Sequence, residues 1–330
     1  MRKYCAIFVS AVLALSLAPL TSQAAISIKM AVAYDIGGRG DHGINDAAAK
    51  GIDAIKKKFG LTALSVREMV TNGSESDRES RLQFLASANY NLIIAVGAGY
   101  AKAVSVVALK NPVTQFALIN DASVGNLNIS DMIFSNADGA YLAGVLAGAA
   151  TKRNKVGFIA PTVMSPFFTD FQLGVAASKP KATALSQFVD TLPGVATQAL
   201  ISQGADVIYS QWTTTSEVQD TIAKKASAKH PLFLIGVDPD QYYLLDKSSA
   251  KILIGAVLKR VDTAVVDVMT SAIKKESVLD VLNSAQGIYG HMYTVKDGGE
   301  SIALTKLGGS YSSKLSTAIA ALKSGKVKLP

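Results

Sequence analysis

The densest run of residues able to do chemistry is the turn Asp35-Ile36-Gly37-Gly38-Arg39-Gly40-Asp41-His42-Gly43-Ile44-Asn45-Asp46. Ionised carboxylates only accept hydrogen bonds, whereas an asparagine amide both donates and accepts. Asp41 and Asn45 together therefore suit a neutral, polyhydroxylated ligand. The turn also contains Gly38-x-Gly40-x-x-Gly43, which has the form of a dinucleotide-binding fingerprint. Asp41 argues against that use, because it puts a carboxylate where a pyrophosphate would have to meet amide N–H groups and a helix N-terminus. The structural alternative is a tight turn whose Asn45 or Asp46 caps the next helix.

Other candidates lie further along. Asn120 and Asp121 end an apolar run, and Asp121 is the one expected to face a ligand. Phe167, Phe168 and Phe171 cluster after another apolar run, and Trp212 is the sole tryptophan. Such rings either stack on a flat ligand or fill the core. Catalytic constellations do not emerge. His42, His230 and His291 are far apart, no Gly-x-Ser-x-Gly or His-Glu-x-x-His occurs, and the only cysteine is Cys5. The expectation is a binding protein with no catalytic residues, no cofactor and no metal. A nicotinamide-dependent enzyme built on the Gly38 turn is the alternative from another class.

The elements that must position these residues alternate. Short apolar runs at 28–34, 64–70, 92–96, 115–119, 132–135, 155–159, 207–209, 232–237 and 252–257 read as strands. Helical patterns intervene at about 44–59, 76–88, 100–110, 140–151, 168–177, 215–225 and 261–274. Alternating β and α units imply parallel sheets with right-handed crossovers. Ligands of such sheets sit beyond the carboxyl ends of the strands, where the Gly-rich turn, Asn120-Asp121 and Asp238 fall. There are more strands than one small sheet needs, so two lobes facing a cleft are expected. Their boundaries are read as 26–125 with 239–285, and 135–237 with 288–330.

The chain of 330 residues is 49% hydrophobic and 18% charged, a globular composition. Its net charge is +8, two of it from Arg2 and Lys3, and the lysines are scattered. A nucleic-acid surface would need them clustered with aromatics, so no nucleic-acid partner is expected. Residues 1–24 read as a secretory leader: basic residues, an apolar run from Ala6 to Leu20, then Ser22-Gln23-Ala24-Ala25. Cys5 precedes that run, so neither a lipid anchor nor a disulfide is expected, and the mature chain should be periplasmic or secreted.

The opening turn resembles the Asp-x-Gly-Gly-x-x-Asp-x-x-Phe-Asn pattern of the basic membrane protein family of solute-binding proteins, which includes purine-nucleoside receptors. Asp35, Gly37, Gly38, Asp41 and Asn45 match, and Ile44 replaces the phenylalanine. Seven more blocks follow in the family's order: FALIND at 116–121, GAYLAG at 139–144, KVGF at 155–158, QGADVI at 203–208, GVDPDQ at 236–241, LKRVD at 258–262 and VKDGG at 295–299. The resemblance implies an α/β periplasmic-binding-protein type I fold: two doubly wound lobes, three hinge crossings and a ligand buried between them. It implies a monomer that delivers a small molecule, a purine nucleoside first and a sugar or other polar metabolite second, to an ABC-transporter permease; a ligand sensor is a further option. It aligns Phe171 with a stacking phenylalanine and Asp238 with an aspartate at the ligand, where a carboxylate can accept both hydroxyl protons of a ribose diol. It aligns Lys259 with a lysine that either bonds a base or pairs with Asp262 or a cleft aspartate.

Overall fold

The computed structural model describes residues 28–62, 65–213, 216–237, 251–276 and 280–330. The expected leader and Asp238 lie outside the described residues. The first half opens with strand β1 (Met30–Tyr34), helix α1 (Ile44–Phe59), β2 (Val66–Val70), α2 (Glu75–Ser87), β3 (Leu92–Val96), α3 (Ala101–Lys110), β4 (Gln115–Ile119) and β5 (Ile129–Phe134). Helix α4 (Asn136–Ala150) leads into β6 (Lys155–Ala160), α5 (Phe168–Ser178), β7 (Thr183–Phe188), α6 (Pro193–Ser202), β8 (Val207–Ser210), α7 (Glu217–Lys225), β9 (Phe233–Val237) and β10 (Leu253–Lys259). The chain ends with α8 (Val261–Lys274), β11 (Asp280–Asn283), β12 (Ile288–Tyr293), β13 (Glu300–Leu304) and α9 (Ser312–Lys323).

Two sheets result. The first has seven strands in the order β11-β12-β5-β4-β3-β1-β2 and the second six in the order β13-β10-β9-β8-β6-β7. All ladders are parallel except β11 with β12 and β13 with β10. Strands β1 and β3 are buried at every residue, as parallel strands are when helices cover both faces. In the first lobe α1 and α8 pack on one face and α2 and α3 on the other. In the second, α4, α5 and α9 cover one face, and α6 and α7 the other.

The chain passes between lobes at Ser135, at Arg260 and at 294–299. Two boundaries therefore differ from those read in the sequence. Residues 253–259 belong to the second lobe, because β10 pairs with β9 and β13. Residues 288–293 belong to the first, because β12 pairs with β5. Apolar runs mark strands but not their partners, and here the ladders alone assign the sheet. Strand β7 escaped the sequence reading because TALSQF is a half-exposed edge strand with no apolar run; α6, β11 to β13 and α9 were also not foreseen.

Helix α4 is apolar nearly all round and sits between the second sheet and α5. The two helices meet through glycines. A Cβ on Gly144 would strike the Phe171 carbonyl oxygen, and one on Gly174 would strike that of Tyr141. This close approach holds the start of α5 against the start of α4. We expect Gly174→Val to overpack the contact and cost about 1–3 kcal/mol, read as a melting temperature lower by several degrees. An unchanged melt would show that the helices can separate freely.

Strand β5 carries an unusual group. Asp131 is 0% exposed, and neither carboxylate oxygen has a hydrogen-bond partner among the described residues. Its ladder neighbours are Leu118 and Gly290, which offer no polar side chain. Burial, reinforced by the charge of Asp121, pushes its pKa up to about 7. The folded state therefore holds this proton more tightly than the unfolded chain does. Stability contributed by the neutral acid is complete below about pH 4 and declines as pH rises through 7. We expect Asp131→Asn to remove that decline and to stabilise the protein at pH 8 by up to about 4 kcal/mol, measured by denaturant unfolding at pH 5 and pH 8. Parallel pH profiles for the two proteins would contradict this.

Candidate functional site

The Gly-rich turn after β1 is organised by its own carboxylates. Asp41 Oδ1 accepts the N–H groups of Gly43 (2.7 Å) and Asp46 (3.1 Å), and its Oδ2 accepts the Asn45 N–H (3.2 Å). Asp46 in turn accepts the N–H groups of Gly40 and His42. Gly43, the residue before α1, makes no side-chain cap, so Asp41 performs the capping for which the sequence offered Asn45 or Asp46. Asn45 is 1% exposed; its amide accepts from the Asp35 N–H and donates to the carbonyls of Asp35 and Ile36 and to Asp41 Oδ2. The helix-start amides that a pyrophosphate would need are thus already taken by a carboxylate.

Reaching out of the turn, Arg39 bonds both Asp53 and Glu68, and Lys56 and Tyr34 also bond Glu68. Burial alone would raise the Glu68 pKa, but the hydrogen bonds from Arg39, Lys56 and Tyr34 prevail and hold it at about 2. This network pins the turn to β2 and α1.

The cavity lies between the lobes, at the carboxyl ends of β8, β9 and β10, and has a volume of about 150 Å³. The three crossings frame it. The Ser135 N–H donates to the Tyr293 carbonyl (2.8 Å), the Arg260 N–H to the Gly299 carbonyl (2.8 Å), and the Val295 N–H to Asp138 Oδ2 (2.7 Å). From the second lobe, Tyr209, Met164 and Val257 supply an apolar wall, and Gln211, Lys259 and Glu300 supply polar groups. Asn120 reaches in from the end of β4 in the first lobe. Its backbone is left-handed (φ 66°), which asparagine tolerates better than most residues, and its N–H donates to the Met132 carbonyl. Lys259 Nζ donates to Asn120 Oδ1 at 3.0 Å, a direct bond between lobes.

The residues foreseen from sequence fall into three groups. Lys259 lines the cavity. Phe171 is 0% exposed and stands one layer behind the wall, stacked on Tyr209 (5.8 Å, 17°) and packed on Phe158. Asp121 accepts the N–H and hydroxyl of Ser123 just beyond β4, while its neighbour Asn120 faces the cavity. Trp212 is half-buried against the outer-face core of the second lobe, between the lining residues Gln211 and Thr213. Asp41 and Asn45 hold the turn as described. Tyr209, Gln211, Met164, Asn136 and Glu300 line the cavity without having been foreseen. A signal existed for Tyr209, which directly follows the QGADVI block and ends the apolar run 207–209. Another existed for Glu300, which directly follows VKDGG.

Comparison with known proteins agrees with this architecture. The family model described as ABC transporter substrate-binding protein PnrA-like matches residues 28–297. A CD4+ T-cell-stimulating antigen of Listeria monocytogenes is 31% identical over 74% of this chain and 73% of its own length. An ABC transporter nucleoside-binding protein, BmpA, of Lactococcus lactis is 27% identical over 73% of this chain and 74% of its own. Among solved structures, a solute-binding protein from Conexibacter woesei superposes with a TM-score of 0.69 at 16% identity, covering 92% of this chain and 99% of that one. One from Aeropyrum pernix gives 0.62 at 21% identity, covering 91% and 92%. The fold is the periplasmic-binding-protein type I fold.

We expect Asp41→Ala to free three amides at the start of α1 and to cost about 1–2 kcal/mol with no ligand present. Hydrogen exchange at Gly43, Asn45 and Asp46 should accelerate, whereas exchange in β8 should not. Unchanged protection at those three amides would assign their partner elsewhere.

Proposed function

The chain belongs to the family of PnrA-like ABC-transporter substrate-binding proteins, and from that premise we infer that it captures a nucleoside between its lobes outside the cytoplasm and delivers it to a membrane permease. The observation that carries this reading is the interlobe cavity, where a tyrosine ring and apolar side chains stand beside amides and a lysine. A nucleoside needs both kinds of surface. Its base is a flat apolar plate with polar edges, and its ribose is a cluster of hydroxyls. The nucleoside-binding name of the Lactococcus relative supports the same choice.

In this reading the Lys259–Asn120 bond is the ligand-free closure of the cleft. A nucleoside entering between the lobes takes over the lysine's proton and the asparagine's oxygen, so the lobes end joined through the ligand. Tyr209, backed by Phe171, supplies the stacking surface in place of the phenylalanine read from sequence. Asp238 follows the lining residue Val237 in the chain and keeps the ribose role that the resemblance implies; Asp121 and Trp212 complete the candidate contacts. Closure then presents both lobes to the permease as one surface.

A thermal-shift screen of nucleosides, free bases, sugars and nicotinamide cofactors, followed by calorimetry on hits, tests this. A nucleoside at about 100 times its dissociation constant adds roughly 2.7 kcal/mol of stability. Lys259→Met should weaken binding about 10- to 100-fold, the effect of losing a charged hydrogen bond in a closed site. A sugar or cofactor that shifts the melt while every nucleoside fails would overturn the ligand assignment and leave the fold intact.

A further inference from the structure

His291 lies on β12, just ahead of the third crossing between the lobes. Each of its ring nitrogens faces a carboxylate. Nδ1 is 2.7 Å from Asp280 Oδ2 on β11, and Nε2 is 3.5 Å from Asp297 Oδ2 in the crossing itself. The ring stands edge-on to Tyr293, with centroids 4.6 Å apart, and this packing helps to fix which way its nitrogens point. Asp297 organises the crossing. Its Oδ1 accepts the N–H groups of Thr294 (2.7 Å) and Gly299 (3.2 Å), and its Oδ2 accepts the Thr294 hydroxyl (3.2 Å). These residues adjoin the bonds that join the lobes: the Tyr293 carbonyl accepts the Ser135 N–H, and the Gly299 carbonyl accepts the Arg260 N–H. A contact made at Asp297 therefore reaches all three crossings.

The two protonation states of such a ring act differently here. Neutral imidazole carries one N–H; given to Asp280, it leaves a lone pair on Nε2 facing the Asp297 carboxylate. Imidazolium carries both N–H groups and attracts both carboxylates. We propose that His291 is a proton-operated brace of the hinge: protonated, it ties the third crossing to β11 and stiffens the hinge, and deprotonated, it frees the crossing to turn. Histidine is the side chain whose charge ordinarily changes between pH 5 and 8, and 34% of this one is exposed, so its proton exchanges with solvent. The other groups around the ring are Tyr293, whose hydroxyl bonds Asp267 of α8, and Asp267 itself, which burial pushes up and the charge of His291 pulls down. Lys58, near the end of α1, acts on the same Asp267. Asp131 of β5 pairs with Gly290 in the ladder, so alternation sends its side chain to the other face of the sheet from His291. The proposal rests on the lobe motion of the proposed function and is indifferent to which solute is carried.

Amide hydrogen exchange of the ligand-free protein at about pH 5.5 and about pH 7.5, corrected for the intrinsic pH dependence of exchange, tests the brace. The Thr294, Gly299 and Arg260 amides should be about threefold better protected at the lower pH, the worth of a partly exposed ion pair. The midpoint of that change should coincide with the titration of the His291 ring followed by NMR. His291→Gln, which cannot carry the charge, should give the same protection at both pH values. Asp131→Asn should keep the wild-type response, which separates the brace from the other group that titrates near neutrality. Equal protection of the wild type at both pH values overturns the proposal, as does a response that survives His291→Gln or disappears in Asp131→Asn. A response confined to Thr294 and Gly299, with Arg260 unmoved, also overturns it, because the contact would then be local and not part of the hinge. No ligand takes part, so failure here leaves the nucleoside reading standing, and failure of every nucleoside to bind leaves the brace standing.

Discussion

Asp138 Oδ2 accepts the N–H of Val295, joining the first turn of α4 to the segment that leaves β12, and the rest of the architecture is arranged around that bond. It fastens the first lobe-to-lobe crossing to the third. The Ser135 N–H to the Tyr293 carbonyl repeats the connection, and the Arg260 N–H to the Gly299 carbonyl brings in the second crossing. Any rotation of one lobe against the other must turn about this short set of bonds. The left-handed backbone of Gly298 (φ 79°) and the close approach of Gly299 to Tyr293 let the third crossing turn sharply enough to join it. Burial, opposed by the Val295 bond, raises the Asp138 pKa, so the clamp sits in a desolvated place where its hydrogen bond is strong.

Polar groups crowd the crossings while the four cores are built from apolar side chains. Asp138, Asp170 and Glu300 are gathered near the starts of α4 and α5, and Asp170 is raised by burial and by the charge of Asp138. Folding alone gains little from such groups, because buried carboxylates cost free energy unless they are hydrogen-bonded or neutral. Their concentration beside the cavity, with Lys259 as a nearby cation, is what a site for a polar solute requires. The apolar wall is backed by a different device: Phe171 stacks on Tyr209, Phe158 packs tilted on the first and edge-on to the second, and the glycine-to-carbonyl contacts of α4 and α5 lie behind them.

How far the site was legible depends on what each residue's role needed. Lys259 was legible because the LKRVD block aligns it with a family lysine, as the resemblance implies. The resemblance aligns Phe171 with a stacking phenylalanine; only the packing of α5 on α4 shows that Tyr209 stands in front of it. Asn120 and Asp121 form a pair in which the sequence favours Asp121, and the left-handed backbone at Asn120 is what brings the Asn120 side chain to the cavity. Glu300 directly follows the VKDGG block, but its place beside Lys259 has no local signal, because the two are distant in sequence and meet only through the β10–β13 ladder.

The sequence by itself determined the class of the fold, its helices and buried strands, and the family. Those follow from local periodicity, from apolar runs flanked by turn residues and from motif blocks, all of which are written within short windows. Only the tertiary structure decided which sheet each strand joins, where the chain crosses between lobes and which side chains face the cavity. Those outcomes depend on hydrogen-bonded ladders and helix contacts between residues far apart in the chain, and no short window contains both partners.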